Sequence, residues 1–218
     1  DLTVVNAARV SFAKESEWES ITPAGPVPDL LKEEDERLIN YLAKHRHWTP
    51  FGHCFVQFRV TAPIFVARQL GKHQVGLVWN EVSRRYVDME PAFFQPFEWR
   101  GRPENKKQGS SEKIIERNPA GSPGIFFDDY HHALKKCLWT YKQLLRKGVS
   151  PEMARMVLPQ STYTEWYWSG SMFAFGRVCN LRCKEDTQLE TRQIAYQIDK
   201  KCSELFPASW AALRSNTL

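Results

Sequence analysis

The alternation between His53 and Thr61 narrows the folds open to this chain more than any other feature. Phe55, Gln57 and Arg59 alternate with Val56, Phe58 and Val60, and a period of two in such residues predicts a strand with one buried face. Pro63 suits the first turn of a helix, and Ile64 to Leu70 continue it with mostly apolar residues. A strand passing straight into a helix, with further helical periodicity downstream, predicts an α+β chain: antiparallel strands early, helices packed against them.

The helix runs into a dense polar cluster. Arg68, Gln69, Lys72, His73, Gln74, Asn80, Glu81, Ser83, Arg84, Arg85 and Tyr86 are expected within about five helical turns. Buried charges must be paired and hydrogen-bonded, and an anionic ligand satisfies many such groups at once. A solvated helix face carrying ordinary charge is the competing reading. The apolar runs Ile64 to Ala67 and Val75 to Trp79 favour a walled pocket, suited to a phosphorylated, planar molecule.

Elsewhere, Leu2 to Phe12 reads as a strand or helix start, and Asp1 in place of Met suggests a start further upstream. Residues 20 to 29, with three prolines and a glycine, predict a loop. Leu38, Ile39, Tyr41 and Leu42 give Glu33 to Arg46 an amphipathic helical pattern. Tyr86 to Phe94 is expected to form another strand, and residues 95 to 124, rich in Pro, Gly, Asn, Lys and Ser, a long mobile loop. Ile125 to Lys147 predicts a long helix ending at Gly148. Ser150-Pro151-Glu152 starts the next one, and helices are expected over Glu165 to Leu181 and Thr187 to Leu205.

A chain of 218 residues fits one medium domain, 1–218, able to bury a core without staples. No apolar run approaches the ~20 residues of a membrane helix and no signal-peptide pattern is present, so a soluble, cytoplasmic protein is expected. The net charge of +5 supports an anionic partner without choosing between nucleotide and nucleic acid. Cys54, Cys137, Cys179, Cys183 and Cys202 are odd in number and form no Cys-x-x-Cys knuckle, which disfavours a disulfide framework and a zinc site. Cys179 and Cys183, one helical turn apart, are read as core thiols before a chelating pair, and no metal is expected.

Lys72-His73-Gln74, eight residues, then Ser83-Arg84-Arg85-Tyr86 resembles the signature of the flavin-dependent thymidylate synthases, usually Arg-His-Arg, about seven residues, then Ser, any residue, Arg. The preceding Ala62 to Gln69 also matches. So do Ala7-Ala8-Arg9-Val10-Ser11, His47-Trp48-Thr49-Pro50-Phe51-Gly52-His53, Ala154-Arg155-Met156-Val157-Leu158-Pro159, and Asn180-Leu181-Arg182 with Gln188 and Glu190. The resemblance covers most of the chain from about residue 6 to about 205. It implies the fold of the thymidylate synthase complementing proteins, assembled as a homotetramer with active sites between subunits. None of the cysteines stands in the Pro-Cys-His setting of the folate-only thymidylate synthases, so methylation of uracil is expected without a covalent cysteine.

The implied reaction is reductive methylation of dUMP to dTMP, with FAD as cofactor and 5,10-methylenetetrahydrofolate and NADPH as co-substrates. By the same resemblance Gln69, Leu70, Gly71, Lys72, Glu81, Val82, Ser83, Arg84, Arg85 and Arg155 contact dUMP. Forked guanidinium donors make Arg85 and Arg155 the natural phosphate partners. Ser11, Thr49, Lys72, His73, Gln74, Glu81, Ser171, Phe173 and Arg177 are implicated in holding FAD, and His47 lies near the folate and nucleotide. No Gly-x-Gly-x-x-Gly fingerprint points to a Rossmann-type site. Arg182 matches the arginine that lies against the uracil and favours its N3-ionised form, and is the expected catalytic residue. Ser83 has no recognisable His-Asp partners and is assigned to substrate binding.

Lys72 and Gln74 replace two guanidiniums of the usual signature. Lys72 keeps the charge without the fork, and Arg177 is positioned in sequence to restore a second one. Three competing readings remain at the level of sequence. One is a relative that hydroxymethylates dUMP, and another is a catalytically silent nucleotide binder. The third is a basic single-strand nucleic-acid binder, suggested by the interleaved Trp79, Arg84, Arg85, Trp99, Arg100 and Arg102.

Overall fold

The computed structural model describes residues 1–19, 30–105, 109–117 and 124–216. The expected loop at 20–29 and two parts of the expected loop at 95–124 lie outside them. The predicted strand is present as β1 (Phe55–Pro63). Its Val56, Val60 and Ala62 are buried while Phe55, Gln57, Arg59 and Thr61 face outward, as a period of two requires.

β1 does not pair with its sequence neighbour. Its partner is β5 (Tyr163–Ser171), antiparallel in the register Phe55↔Ser171 to Pro63↔Tyr163. On the far side of β5 lies β2 (Leu77–Glu81), giving the order β1-β5-β2. The helix expected over Glu165 to Leu181 is therefore corrected: its residues up to Ser171 belong to the central strand. Trp166 and Trp168, 1% and 0% exposed, alternate with Glu165, Tyr167 and Ser169. Such residues pack well on a pleated, half-buried surface. Only from Met172 does the chain turn helical, as α6 (Met172–Arg182), with the Ser171 hydroxyl accepting from Ala174 N.

The polar cluster is also not one long helix. α3 (Ile64–Leu70) stops at Gly71, and Gly76 turns the chain back at φ +75°, a conformation costly for any residue with a Cβ. β2 follows, and a Cβ added at Gly170 of β5 would lie 2.3 Å from Gly76 O, so this crossing needs glycine. The expected strand at Tyr86 to Phe94 is replaced by a turn. Tyr86 and Val87 N–H groups fold back onto Ser83 O, and Phe93 makes only an isolated bridge with Thr162.

Within the span 95–124 expected to be a loop, the described residues include a second small sheet. Glu98–Arg100 (β3) and Ile114–Arg117 (β4) form a second antiparallel pair, seated by Trp99 against Phe127 and Tyr130 of α4 (Ile125–Arg146). α4 ends before Gly148 at φ +80°, as its sequence predicts. The first residues form α1 (Leu2–Arg9), and the amphipathic pattern at 33–46 forms α2 (Glu33–Lys44). α5 is the short turn Pro151–Ala154, and α7 spans Leu189–Leu205. A last helix that the sequence reading did not anticipate, α8 (Pro207–Ser215), has its Ala208 and Ser209 N–H groups capped by the Asp1 carboxylate.

The core lies under one face of the three-stranded sheet. Trp79 stacks on Trp166 at 4.2 Å, and Trp168 meets Phe175 of α6 edge to face. Buried aromatic pairs of this kind contribute about 0.5–1.5 kcal/mol each beyond area burial. The first joins β2 to β5 and the second holds α6 against the sheet, and α6 carries Arg177 and Arg182. No helix among the described residues is long and apolar enough to cross a membrane.

Candidate active site

α6 and the turn after α3 face each other, and a cleft of about 310 Å³ opens between them. Lys72, His73, Gln74, Val75 and Leu77 form one wall; Ala174, Arg177, Asn180, Leu181 and Lys184 form the other. Spacings of three and four place Ala174, Arg177 and Leu181 on one face of α6, and Lys184 follows just beyond the helix end. Lys72, Arg177 and Lys184 make the lining cationic, with no Asp or Glu among it. Such a concavity attracts an anion.

Arg182 stands behind this wall, half-buried. Its Nε donates to His73 Nε2 at 3.0 Å and its Nη2 to Gln69 O at 3.2 Å, so the guanidinium is held at two points before any ligand arrives. Burial, first, and then the nearby Arg182 and Arg177 charges push the His73 pKa down to about 4. His73 is thus neutral at pH 7, and its Nε2 is the acceptor, which puts the ring proton on Nδ1.

The shift has a testable sign. The unfolded chain takes up the His73 proton near 6.5 and the folded one only near 4, so the contribution of neutral His73 to stability is complete above about 6.5 and is lost as pH falls from there towards 4. A carbon-13 NMR titration is expected to show the His73 midpoint near 4, and Arg182→Met should raise it. An unchanged midpoint would leave burial and Arg177 as the causes.

The FAD residues expected from sequence divide. Lys72, His73, Gln74 and Arg177 converge on this cleft. The Phe173 ring meets that of Trp48, the neighbour of Thr49, at a tilt with 5.6 Å between centroids, and the turn Pro50–His53 that follows Thr49 packs on α1 and α6. Exposed Ser11 follows α1 closely, and His47 lies exposed beside Tyr41 and His45. The Ser171 hydroxyl is used as a helix cap. Glu81 is elsewhere: its two oxygens accept from Thr164 Oγ1 at 2.6 Å and Trp79 Nε1 at 3.1 Å.

Glu81 belongs to a second cleft of about 360 Å³, lined also by Val82, Arg84, Arg155, Tyr163 and Thr164 among others. This cleft collects four of the expected dUMP residues: Glu81, Val82, Arg84 and Arg155. Ser83 and Arg85 sit at its margin, the Ser83 hydroxyl accepting from Arg85 N and Nε, with Arg85 over the Tyr86 ring. Gln69, Leu70, Gly71 and Lys72 lie on the α3 side. Leu70 is 0% exposed, so neither its side chain nor its backbone is open to a ligand, and the expected dUMP contact there is not formed by this surface. The two clefts share no lining residue.

Asn180 and Lys184 line the first cleft without having been assigned a role from sequence. The signal for Asn180 is its spacing of three from Arg177 on α6; Lys184, beyond the helix end, carried none. The Asn180 amide accepts from Arg214 and leaves Nδ2 buried without a partner. An orphaned donor beside three cations fits a large polar cofactor such as a flavin nucleotide. Cys179 and Cys202 are fully buried, and Cys183 stands next to Arg182 in the chain. No group of three or more His, Cys, Asp or Glu side chains among the described residues is arranged to hold a metal.

The interleaved Trp and Arg stripe does not form a surface. Trp79 and Trp99 are packed internally, and Arg100 is paired with Glu190.

An antiparallel sheet that seats a helix bearing a restrained arginine beside a cationic cleft fits a protein that binds an anionic ligand. The family model described as thymidylate synthase complementing protein matches residues 1–208. The flavin-dependent thymidylate synthase of Thermus thermophilus is 35% identical across 100% of this chain and 73% of its own length. That of Thermosipho africanus is 36% identical across 97% and 85%. In structure, the UMP/dUMP methylase PolB from Streptomyces cacaoi, bound with 5-Br dUMP, superposes with a TM-score of 0.76 at 28% identity, over 98% of this chain and 90% of that one. This chain belongs to the flavin-dependent thymidylate synthase family, and is a methyltransferase.

Proposed function

We propose that the protein, as one catalytic domain, methylates dUMP to dTMP with FAD, taking the carbon from 5,10-methylenetetrahydrofolate and the electrons from NADPH, in the cytoplasm. The observation that carries the reading is the restrained Arg182 beside a cleft lined by Lys72, Arg177 and Lys184. The bound flavin would supply the electrons that complete the methyl group. Lys72, His73, Gln74, Arg177 and the Asn180 amide would hold it, and neutral His73 can meet a flat ring without adding charge.

Arg182 presents a fixed cation to the uracil, favouring negative charge at N3 and its carbonyls and so raising electron density at C5. Arg155 and Arg84, which line the second cleft, are suited to the phosphate, Arg84 in place of the expected Arg85, whose guanidinium lies over the Tyr86 ring. They line a different cleft from Arg182's neighbours, which supports an assembly in which one copy's cleft completes another's, within a homotetramer.

The test is mass spectrometry of the nucleotide after incubating the protein with dUMP, FAD, NADPH and methylenetetrahydrofolate. A gain of one methyl group is expected. A hydroxymethyl product would show that the carbon is transferred without the reduction, and unchanged dUMP would overturn the reading.

A further inference from the structure

Gln188 is the N-cap residue of α7, yet its side chain caps none of that helix's N–H groups. Its Oε1 accepts instead from Gln69 Nε2 at 2.5 Å. The same Nε2 lies 3.4 Å from Phe65 O. A backbone carbonyl only accepts, so the Gln69 atom facing it must be the amide nitrogen, and the atom of Gln188 facing that nitrogen must be its oxygen. Gln69 Oε1 makes no hydrogen bond among the described residues and is not among their buried unpartnered atoms. It is therefore the one end of the amide open to a ligand.

The support behind Gln188 is stiff. Two residues on, Glu190 accepts from Arg100 Nη2 at 2.6 Å, the two side chains only 12% and 18% exposed, and Arg100 Nε donates to Ser110 Oγ at 2.8 Å. A largely buried ion pair adds little net stability but fixes geometry where both partners are held. It pins the first turn of α7 to β3. On its other side Gln69 gives its backbone carbonyl to Arg182.

We propose that Gln188 is a positioning residue of the nucleotide site: it fixes the Gln69 amide with Oε1 outward, so that the site reads a hydrogen-bond donor of the nucleotide, its sugar hydroxyl. The inference rests on the dUMP reading above. A neutral hydrogen bond is worth close to tenfold in binding.

The experiment is steady-state kinetics of wild type, Gln188→Met and Gln188→Glu, with dUMP and with 2′,3′-dideoxyuridine 5′-monophosphate. Gln188→Met is expected to raise KM for dUMP about tenfold while kcat stays within about twofold. Gln188→Glu, which can still accept from Gln69 Nε2, should remain within about threefold of wild type in KM. If a sugar hydroxyl is read, the dideoxy nucleotide costs the wild type the same factor and Gln188→Met nothing more. If Gln188→Met loses the factor with both nucleotides, no sugar hydroxyl is read and the inference is overturned. Equal KM values in wild type and Gln188→Met, or a fall in kcat at unchanged KM, would overturn the inference. A wild type without turnover would overturn the dUMP reading, and this inference with it.

Discussion

Arg182→Ala is expected to lower kcat for dUMP methylation by about 10²–10³-fold, with nucleotide affinity much less affected. The size follows from where the guanidinium stands. It is half-buried and held by His73 Nε2 at 3.0 Å and Gln69 O at 3.2 Å, so it need not reorganise as charge develops on the uracil. A fixed cation in a partly dry site acts on the transition state more than on the ground state. Phosphate and sugar contacts, carried by other residues, would keep most of the binding.

Arg182→Lys separates charge from geometry. An ammonium keeps the charge but cannot donate to His73 and Gln69 in the same fork, so an intermediate loss is expected. The alternative role for Arg182 is to tether α6 to the end of α3. In that case Arg182→Ala would lower thermal stability and flavin content while kcat per bound flavin survived within about threefold, a barrier change of only ~0.65 kcal/mol. Stopped-flow measurement of flavin oxidation, normalised to flavin content, distinguishes the two.

What the sequence made legible was whatever one segment reports about itself. The alternation in β1 and the helical stripe in α2 are local patterns, and both elements formed within two residues of their expected ends. β5 carried the same signal, with Trp166 and Trp168 alternating against Tyr167 and Ser169. Its continuity with α6 hid it, because Ser171 and Met172 join a strand to a helix without an intervening turn. Gly71 and Gly76 marked the break in the polar cluster, but the apolar run between Val75 and Trp79 fits a helix or a strand equally well. At the site, the clustering of Lys72, His73 and Gln74 with Arg177 joins segments about a hundred residues apart. Only the resemblance suggested it in advance, since spacing carries no information across that distance. The Gln69–Gln188 contact and the division into two clefts depend on how β5 sits between β1 and β2, and no local pattern encodes that.

The second large effect is expected far from the cationic cleft. Asp35 is fully buried, at 0% exposed, in the first turn of α2. Oδ1 accepts from Arg9 Nε at 3.1 Å and Nη2 at 2.5 Å, and Oδ2 from Ser16 Oγ at 2.5 Å. Removing one member of a buried pair costs about 3–5 kcal/mol because the other is left uncompensated. Arg9 is 21% exposed and also reaches Glu34, which places Asp35→Ala at the lower end, about 3 kcal/mol. For a chain of this size that corresponds to a fall in Tm of roughly 6–12 °C. Replacing both partners, Arg9→Met with Asp35→Leu, should recover part of the loss, because no buried charge then lacks its partner.

Asp35 also bears on the site. Arg9 ends α1, and the next turn, Val10–Phe12, carries Ser11 and closes at Ala13 with φ +53°. The buried carboxylate therefore anchors the segment expected to touch FAD. Asp35→Ala is predicted to lower flavin content at 25 °C, where most of the protein remains folded, as well as Tm. Loss of Tm with full flavin content, measured by absorbance of the purified variant, would remove Ser11 from the flavin site and leave Asp35 a purely structural anchor.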